Sequence, residues 1–313
     1  MVIQNSSELQ GPLWAVTSYY NPAGYQTKLR NFQIFAEALR ASGVPLLTVE
    51  CAFGDDPFTL SGHVAVVQVR ARDVMWQKER LLNIAIAQLP ASCTQVAWLD
   101  ADILFENGDW ARETSALLAT RPVVQPFETV VRLPRGHELY QGDGESWAGF
   151  AATIARDPDS VLGGDFTRHG HTGFVWAAQR EILERHGLYD ACISGSGDHM
   201  IAHGFAGDWE SSCLDRILGD NSAHRAHFAA WAKRVYPDVR SRVGYVPGRI
   251  LHLWHGDHVN RRYVLRNQEL SAFQFDPERD IKIGRDGAWE WSNDRSDLRQ
   301  WAIDYYRGRK EDG

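Results

Sequence analysis

Short apolar runs alternate with helix-spaced apolar positions along the first half of the chain. That alternation constrains the fold more than any other feature. Leu13, Trp14, Ala15, Val16 and Thr17 form an apolar run that stops at Ser18 and the turn-forming pair Asn21 and Pro22. It predicts a buried strand. Leu29, Phe32, Phe35, Ala36 and Leu39 recur at helical spacing, and Gly43 supplies the stop. Residues 45–49 predict a second strand ending at Glu50. Leu82, Ala85, Ile86 and Leu89 predict a second helix, ended by Pro90. Residues 95–99 predict a third strand ending at Asp100, followed by a helix from about Trp110 and a strand over 122–125. Strand, helix, strand, helix in this order predicts a mostly parallel sheet with helices on its faces. Such sheets bind ligands at the carboxyl ends of their strands. Those ends here carry residues 17–21, Glu50, Asp100 and Asp102.

Residues 133–171 are rich in Gly, Asp and Arg with weak periodicity, and predict long loops with short helices, a candidate lid. A strand resumes over 173–178, with a helix from about Arg180. No internal repeat or low-complexity linker divides the chain, which predicts one domain with a C-terminal extension. At 313 residues the chain can bury a full core without staples. Cys51, Cys93, Cys192 and Cys213 lie far apart, and none forms a C-x-x-C pair. Buried thiols in a reducing compartment are expected. The first eight residues have no basic flank and no apolar segment, and no apolar stretch approaches the roughly 20 residues of a membrane span. A cytoplasmic protein with no integral membrane segment is the expectation.

The net charge of −7 argues against general nucleic-acid binding, which draws its affinity from phosphate neutralisation. Residues 225–266 nevertheless hold nine basic residues and two acids. Such a window is either a solvated face or a site for an anion such as a diphosphate. Twelve tryptophans add core material or sugar platforms.

Four groups of residues carry candidate chemistry. Asp100 and Asp102 follow the third strand directly, where hard oxygen ligands suit Mg²⁺ or Mn²⁺ on a diphosphate; the alternative is a turn with Asp as helix cap. His252 and His255 follow a strand-like run and form a candidate ligand pair. Zinc alone is disfavoured, because no third His or Cys stands at a matching spacing. Asp198 follows Ser194, Gly195, Ser196 and Gly197 at a helix start. It is either the helix N-cap or a general base or acceptor-binding carboxylate. His171 and Gly173 lead into the strand at Phe174, and Lys78, Arg80 and Asn83 open the second helix. Lys78 and Arg80 either reach a phosphate or cover solvated helix surface.

This order of motifs resembles a GT-A fold glycosyltransferase, a nucleotide-diphospho-sugar transferase, over roughly residues 12–260. The resemblance rests on residues 17–21, Asp100 with Asp102, Gly173 and Phe174 with Asp198 downstream, and the His252/His255 pair. It implies an α/β, GT-A-like Rossmann-type mixed sheet, mostly parallel and flanked by helices. Residues 1–260 would be the transferase domain. Within it, residues 12–130 would be the nucleotide-binding half and 131–260 the acceptor-binding half, with 261–313 a C-terminal extension packed on it. It implies Thr17, Tyr19 and Glu50 at the nucleoside. Asp100 would bind ribose and metal. Asp102 with His252 or His255 would hold Mn²⁺ or Mg²⁺, and Lys78 and Arg80 would lie near the phosphates. The acceptor side would be His171, Gly173, Asp198 and His199, with Asp198 as catalytic base. The sequence departs from the family in having Gly197, Asp198 and His199 where two neighbouring acids are usual. It also has Asn21 and Pro22 where many relatives place another acid. The implied activity is metal-dependent, hexosyltransferase-like transfer from a nucleotide-diphosphate sugar, UDP by default, to a carbohydrate or other hydroxyl acceptor. The competing readings are a sugar nucleotidylyltransferase and a non-catalytic carbohydrate-binding protein. The first lacks its Gly-rich, Arg/Lys-containing loop after the first strand, and the second would have no need of the metal-type residues.

Overall fold

A computed structural model describes residues 12–60, 65–160 and 167–313. The first strands are β1 (Leu13–Tyr20), β2 (Leu46–Phe53), β3 (Val66–Ala71), β4 (Gln95–Leu99), β5 (Ile103–Phe105) and β6 (Val123–Gln125). They are followed by β7 (Thr129–Arg132), β8 (Glu145–Ala148), β9 (Val175–Gln179), β10 (Val243–Tyr245) and β11 (Arg249–His252). A seven-stranded sheet has the order β10-β6-β9-β4-β1-β2-β3. All its strands run parallel except β9, which is antiparallel to both neighbours. The expected mixed, mostly parallel Rossmann-type sheet is therefore present.

Alternate side chains of the central strands enter two separate cores. On β4, Val96 and Trp98 pack into one apolar cluster, while Ala97 and Leu99 pack into another. That is how a sheet covered on both faces reads. Helix α1 (Gln26–Ala41) brings Phe35 and Leu39 to the second cluster. Helix α2 (Lys78–Gln88) brings Leu81, Leu82, Ala85 and Ile86 to the first. Next come α3 (Trp110–Leu118), α4 (Phe150–Arg156) and α5 (Arg180–His186), then α6 (Gly197–Ala206), α7 (Ser212–Leu218) and α8 (Ser222–Val239).

A second sheet, in the order β5-β11-β7-β8, lies beyond β4. In it β11 pairs with β5, the strand that directly follows Asp100 and Asp102, so that His252 stands opposite Ile103. This pairing carries the late histidines to the end of β4 across a long sequence separation. The region expected as long loops with short helices holds the short helix α4 and, beyond that expectation, the strand β8. The remaining helices are α9 (His258–Arg261), α10 (Tyr263–Ala272), α11 (Pro277–Asp280) and α12 (Ser296–Gly308). Tyr305 and Tyr306 of α12 are buried in the first core cluster, and the Tyr25 hydroxyl donates to the Tyr306 carbonyl at 2.9 Å.

Candidate functional site

A cavity of about 510 Å³ opens at the carboxyl ends of β1 and β4. Its lining includes Tyr19, Lys78, Asp100, Asp102, His171, Gly173, Asp198, His199, His252 and His255. Ten of the expected site residues thus converge, drawn from β1, α2, the turn after β4, the segment before β9, α6 and the end of β11.

Asp102, His252 and His255 form the tightest group, with one potential ligand atom from each lying within 4.8 Å of the others. The two Nε2 atoms are 2.9 Å apart, and His255 Nε2 is 3.3 Å from Asp102 Oδ2. Burial, followed by the neighbouring Asp100 charge, pushes the Asp102 carboxyl up to about 7. Burial, aided by the Arg261 charge, lowers His255 to about 3, so its ring is neutral at pH 7. Burial and the His255 ring likewise hold His252 well below its ordinary value. Asp102 Oδ1 is buried without a hydrogen-bond partner among the described residues. One carboxylate, two neutral imidazoles and an orphaned carboxylate oxygen together fit a divalent cation.

Asp100 belongs to a different group. Lys78, almost wholly buried, pairs with Asp100 and also donates to Asp198 Oδ2 at 2.7 Å. Burial opposes the Lys78 charge, but Asp100 and Asp198 outweigh it and hold the ammonium above its ordinary value. Burial raises the Asp198 carboxyl, against the pull of Lys78. Asp198 does not cap α6. The N-cap is Ser196, in the left-handed region at φ 71°, and no side chain caps the helix. Asp198 sits in the first turn with its carboxylate on Lys78.

Next to Asp198, Gly173 packs closely against its neighbours. An added Cβ would stand 3.3 Å from the His171 ring and 3.6 Å from Asp198 Oδ2. His171 Nδ1 accepts from the Gly173 amide at 3.1 Å, and Arg132 reaches Nε2 at 3.2 Å. Burial and Arg132 lower His171 to about 3. His199 lines the cavity wall, yet its ring lies 4.6 Å from that of His203 and 5.0 Å from that of His169.

Three expected site residues do not line the cavity. The hydroxyl of Thr17 is fully buried and donates to the Leu99 carbonyl at 2.7 Å, joining β1 to β4. Glu50 accepts from the Leu60 amide at 3.1 Å, from the Thr59 amide, and from Gln68 Nε2 at 3.2 Å. Its carboxylate tethers the segment after β2. Arg80 donates to the Gly287 carbonyl at 2.6 Å and to Asp190 Oδ2 at 3.3 Å, on another side of α2. β1 runs on to Tyr20 and β2 to Phe53, so Thr17 and Glu50 lie three residues short of the strand ends that the sequence pattern placed at them.

Sequence reasoning also missed residues. Lys28, Arg132, Arg216, Arg309 and Glu311 line the cavity. Lys28 is half-buried, and desolvation lowers it to about 8 against the pull of Glu311. Of the basic window 225–266, only Arg261 and Arg266 line the cavity. Others form outer ion pairs, such as Arg225 with Asp215 and Arg249 with Glu106. Seven cationic side chains and four carboxylates line the cavity altogether. Trp76 is the one tryptophan there, and Trp98, Trp110, Trp176 and Trp291 are fully buried core.

No family model and no curated protein matches the chain. Similar solved structures include the catalytic domain of Drosophila β1,4-galactosyltransferase 7 in complex with xylobiose. It shows a TM-score of 0.39 and 11% identity, covering 93% of this chain and 98% of that one. A mutant of that enzyme in complex with manganese, UDP-Gal and xylobiose matches equally. A glycosyltransferase involved in glycosylating the major capsid of PBCV-1 matches with a TM-score of 0.32 and 10% identity, over 80% of this chain and 96% of that one. A Bacillus anthracis glucose-1-phosphate thymidylyltransferase matches with a TM-score of 0.36 and 8% identity, over 88% and 98%.

Proposed function

We propose that the chain is a metal-dependent glycosyltransferase that moves a sugar from a nucleotide-diphosphate donor, UDP by default, to a hydroxyl acceptor. The observation that carries this reading is the convergence of Asp102, His252 and His255 in a cavity whose lining is otherwise rich in cations. A carboxylate–imidazole set beside Lys28, Arg261 and Arg309 suits a diphosphate with a bridging cation.

Asp102, His252 and His255 would hold the metal, with Mn²⁺ favoured over Mg²⁺ because two of the three donors are imidazole nitrogens. When bound, the cation neutralises charge that builds on the departing diphosphate. Arg261 and Lys28 add fixed positive charge in a buried setting, where it acts more strongly than in water. Tyr19, at the end of β1, would border the nucleoside side.

Asp198, His171 and Gly173 would form the acceptor side. In an inverting reaction Asp198 Oδ2 would take the proton of the acceptor hydroxyl. Lys78 holds that oxygen in place and joins it to Asp100, so the donor and acceptor sides share one ammonium. A retaining reaction needs no such base. The test is nucleotide-sugar hydrolysis with Mn²⁺, with and without chelator. Mn²⁺-dependent release of UDP supports a transferase and excludes a non-catalytic sugar binder, which would release none.

A further inference from the structure

We propose that the chain holds a second, structural metal site, a zinc ion bound by His169, His199, His203 and Cys213. One potential ligand atom from each of the four side chains lies within 4.8 Å of the others, and all four residues are buried, none above 5% exposure. Three imidazoles and one thiolate form a borderline-soft N/S donor set, which suits zinc rather than Mg²⁺ or Mn²⁺. A tetrahedral zinc site has ligand–ligand edges of roughly 3.5 Å, so a contraction of about 1 Å closes this one.

Hydrogen bonds prepare two of the ligands. His169 Nδ1 lies 2.8 Å from the Gly170 carbonyl, which only accepts, so Nδ1 carries the hydrogen. His203 Nδ1 lies 3.2 Å from Asp208 Oδ2, and an ionised carboxylate also only accepts. Each ring therefore keeps its lone pair on Nε2. Asp208 behind His203 is the carboxylate–histidine arrangement that orients ligands at zinc sites. Its charge, with that of one thiolate, balances the cation. His199 and His203 stand four residues apart on α6, so they project from one helix face.

The site is closed, with four protein ligands and no open position, the mark of a structural ion. It joins three separate pieces of chain: the segment entering β9, α6 and the start of α7. Two of those pieces carry the acceptor side, because His169 precedes His171 and His199 follows Asp198. His199, expected among the acceptor contacts, is thereby assigned to the metal. No local spacing marks this set, because the fold supplies the ligands over 44 residues, from His169 to Cys213.

This site is independent of the donor reading, and its test does not use activity. The full chain is stripped with chelator under native conditions, reloaded with zinc or cobalt(II), and dialysed. We expect the wild type to retain about one zinc per chain in this closed set, and the cobalt form to show a thiolate-to-cobalt charge-transfer band that zinc abolishes. Asp102→Asn should keep both signals, and Cys213→Ser and His203→Ala should lose the band. Loading should also raise Tm of the wild type. A wild-type chain with no retained zinc and no thiolate band overturns the site, whether or not the variants fold. So does a band that survives Cys213→Ser, or one lost in a folded Asp102→Asn chain.

Discussion

The two histidine clusters are built from similar side chains and differ in what surrounds them. Asp102, His252 and His255 offer three ligands on the wall of a cavity lined by Lys28, Arg261 and Arg309. His169, His199, His203 and Cys213 offer four buried potential ligands, of which His169 and His199 also border that cavity, and the carboxylate of Asp208 stands behind His203. With a cation bound, the first would leave coordination free for a substrate and provide charge to receive an anion. The second, as proposed, would leave none and would join chain segments. Ligand count and access, more than residue type, separate a metal that works on a substrate from one that holds a fold.

The largest effect should come from breaking the open cluster. Asp102→Asn should lower turnover by roughly a thousandfold, the several kcal/mol that a charge-stabilising cation supplies. Tm and tightly held zinc should stay near wild type, since the closed cluster is untouched. Kinetics on the Mn²⁺-supplemented variant decide this, and near-normal rates would remove Asp102 from the metal site.

On the acceptor side the expected loss is smaller. Asp198→Asn should cut transfer by about a hundredfold or more, the scale for losing a general base, while UDP binding survives. Full transfer in this variant would mean a retaining mechanism or another base.

A pH series sharpens the electrostatic side of the comparison. Burial pushes the Glu79 carboxyl up to about 8, with Lys78 opposing and Asp198 adding to the rise. A carboxyl raised in the folded state is protonated there while the unfolded chain has already ionised. Its contribution to stability is therefore full below about pH 4.5 and lost as pH rises through about 8. Chemical denaturation of Glu79→Gln should show a flatter decline than wild type over that window. The difference should be at most about 1.4 kcal/mol per pH unit. Parallel curves would mean that Glu79 is ionised throughout.

The smallest effect should be Thr17→Ala, which removes the bond to the Leu99 carbonyl. Stability should fall by about 1 kcal/mol with UDP affinity unchanged. Weakened UDP binding at unchanged stability would restore Thr17 to the nucleoside site.

Strands with a sharp polar stop were the most legible part of the chain. Residues 95–99 were expected as a strand and are β4, and the position of Asp100 and Asp102 followed. The start of α2 at Lys78 and of α6 beside Asp198 also agreed with helix signals. β3 was missed, because Val66, Val67 and Val69 alternate only briefly before Arg70. The reversed direction of β9 was not readable either, since an apolar run has no sign of direction. What escaped at the site was long-range. Lys28 lies on the first helix, and Arg309 and Glu311 lie near the last residue, yet all three line the cavity. No local spacing reports such contacts. His199 and His203 did carry a local signal, the four-residue interval on a helix, but His169 and Cys213 join them only through the fold.

The most direct measurement is calorimetric titration of UDP into the full chain with Mn²⁺ and with chelator, repeated on Asp102→Asn. A diphosphate bridged by a cation at the open cluster predicts saturable binding with Mn²⁺, none with chelator, and none in the variant. Equal affinity in all three titrations would contradict it and leave the anion to the cationic side chains alone.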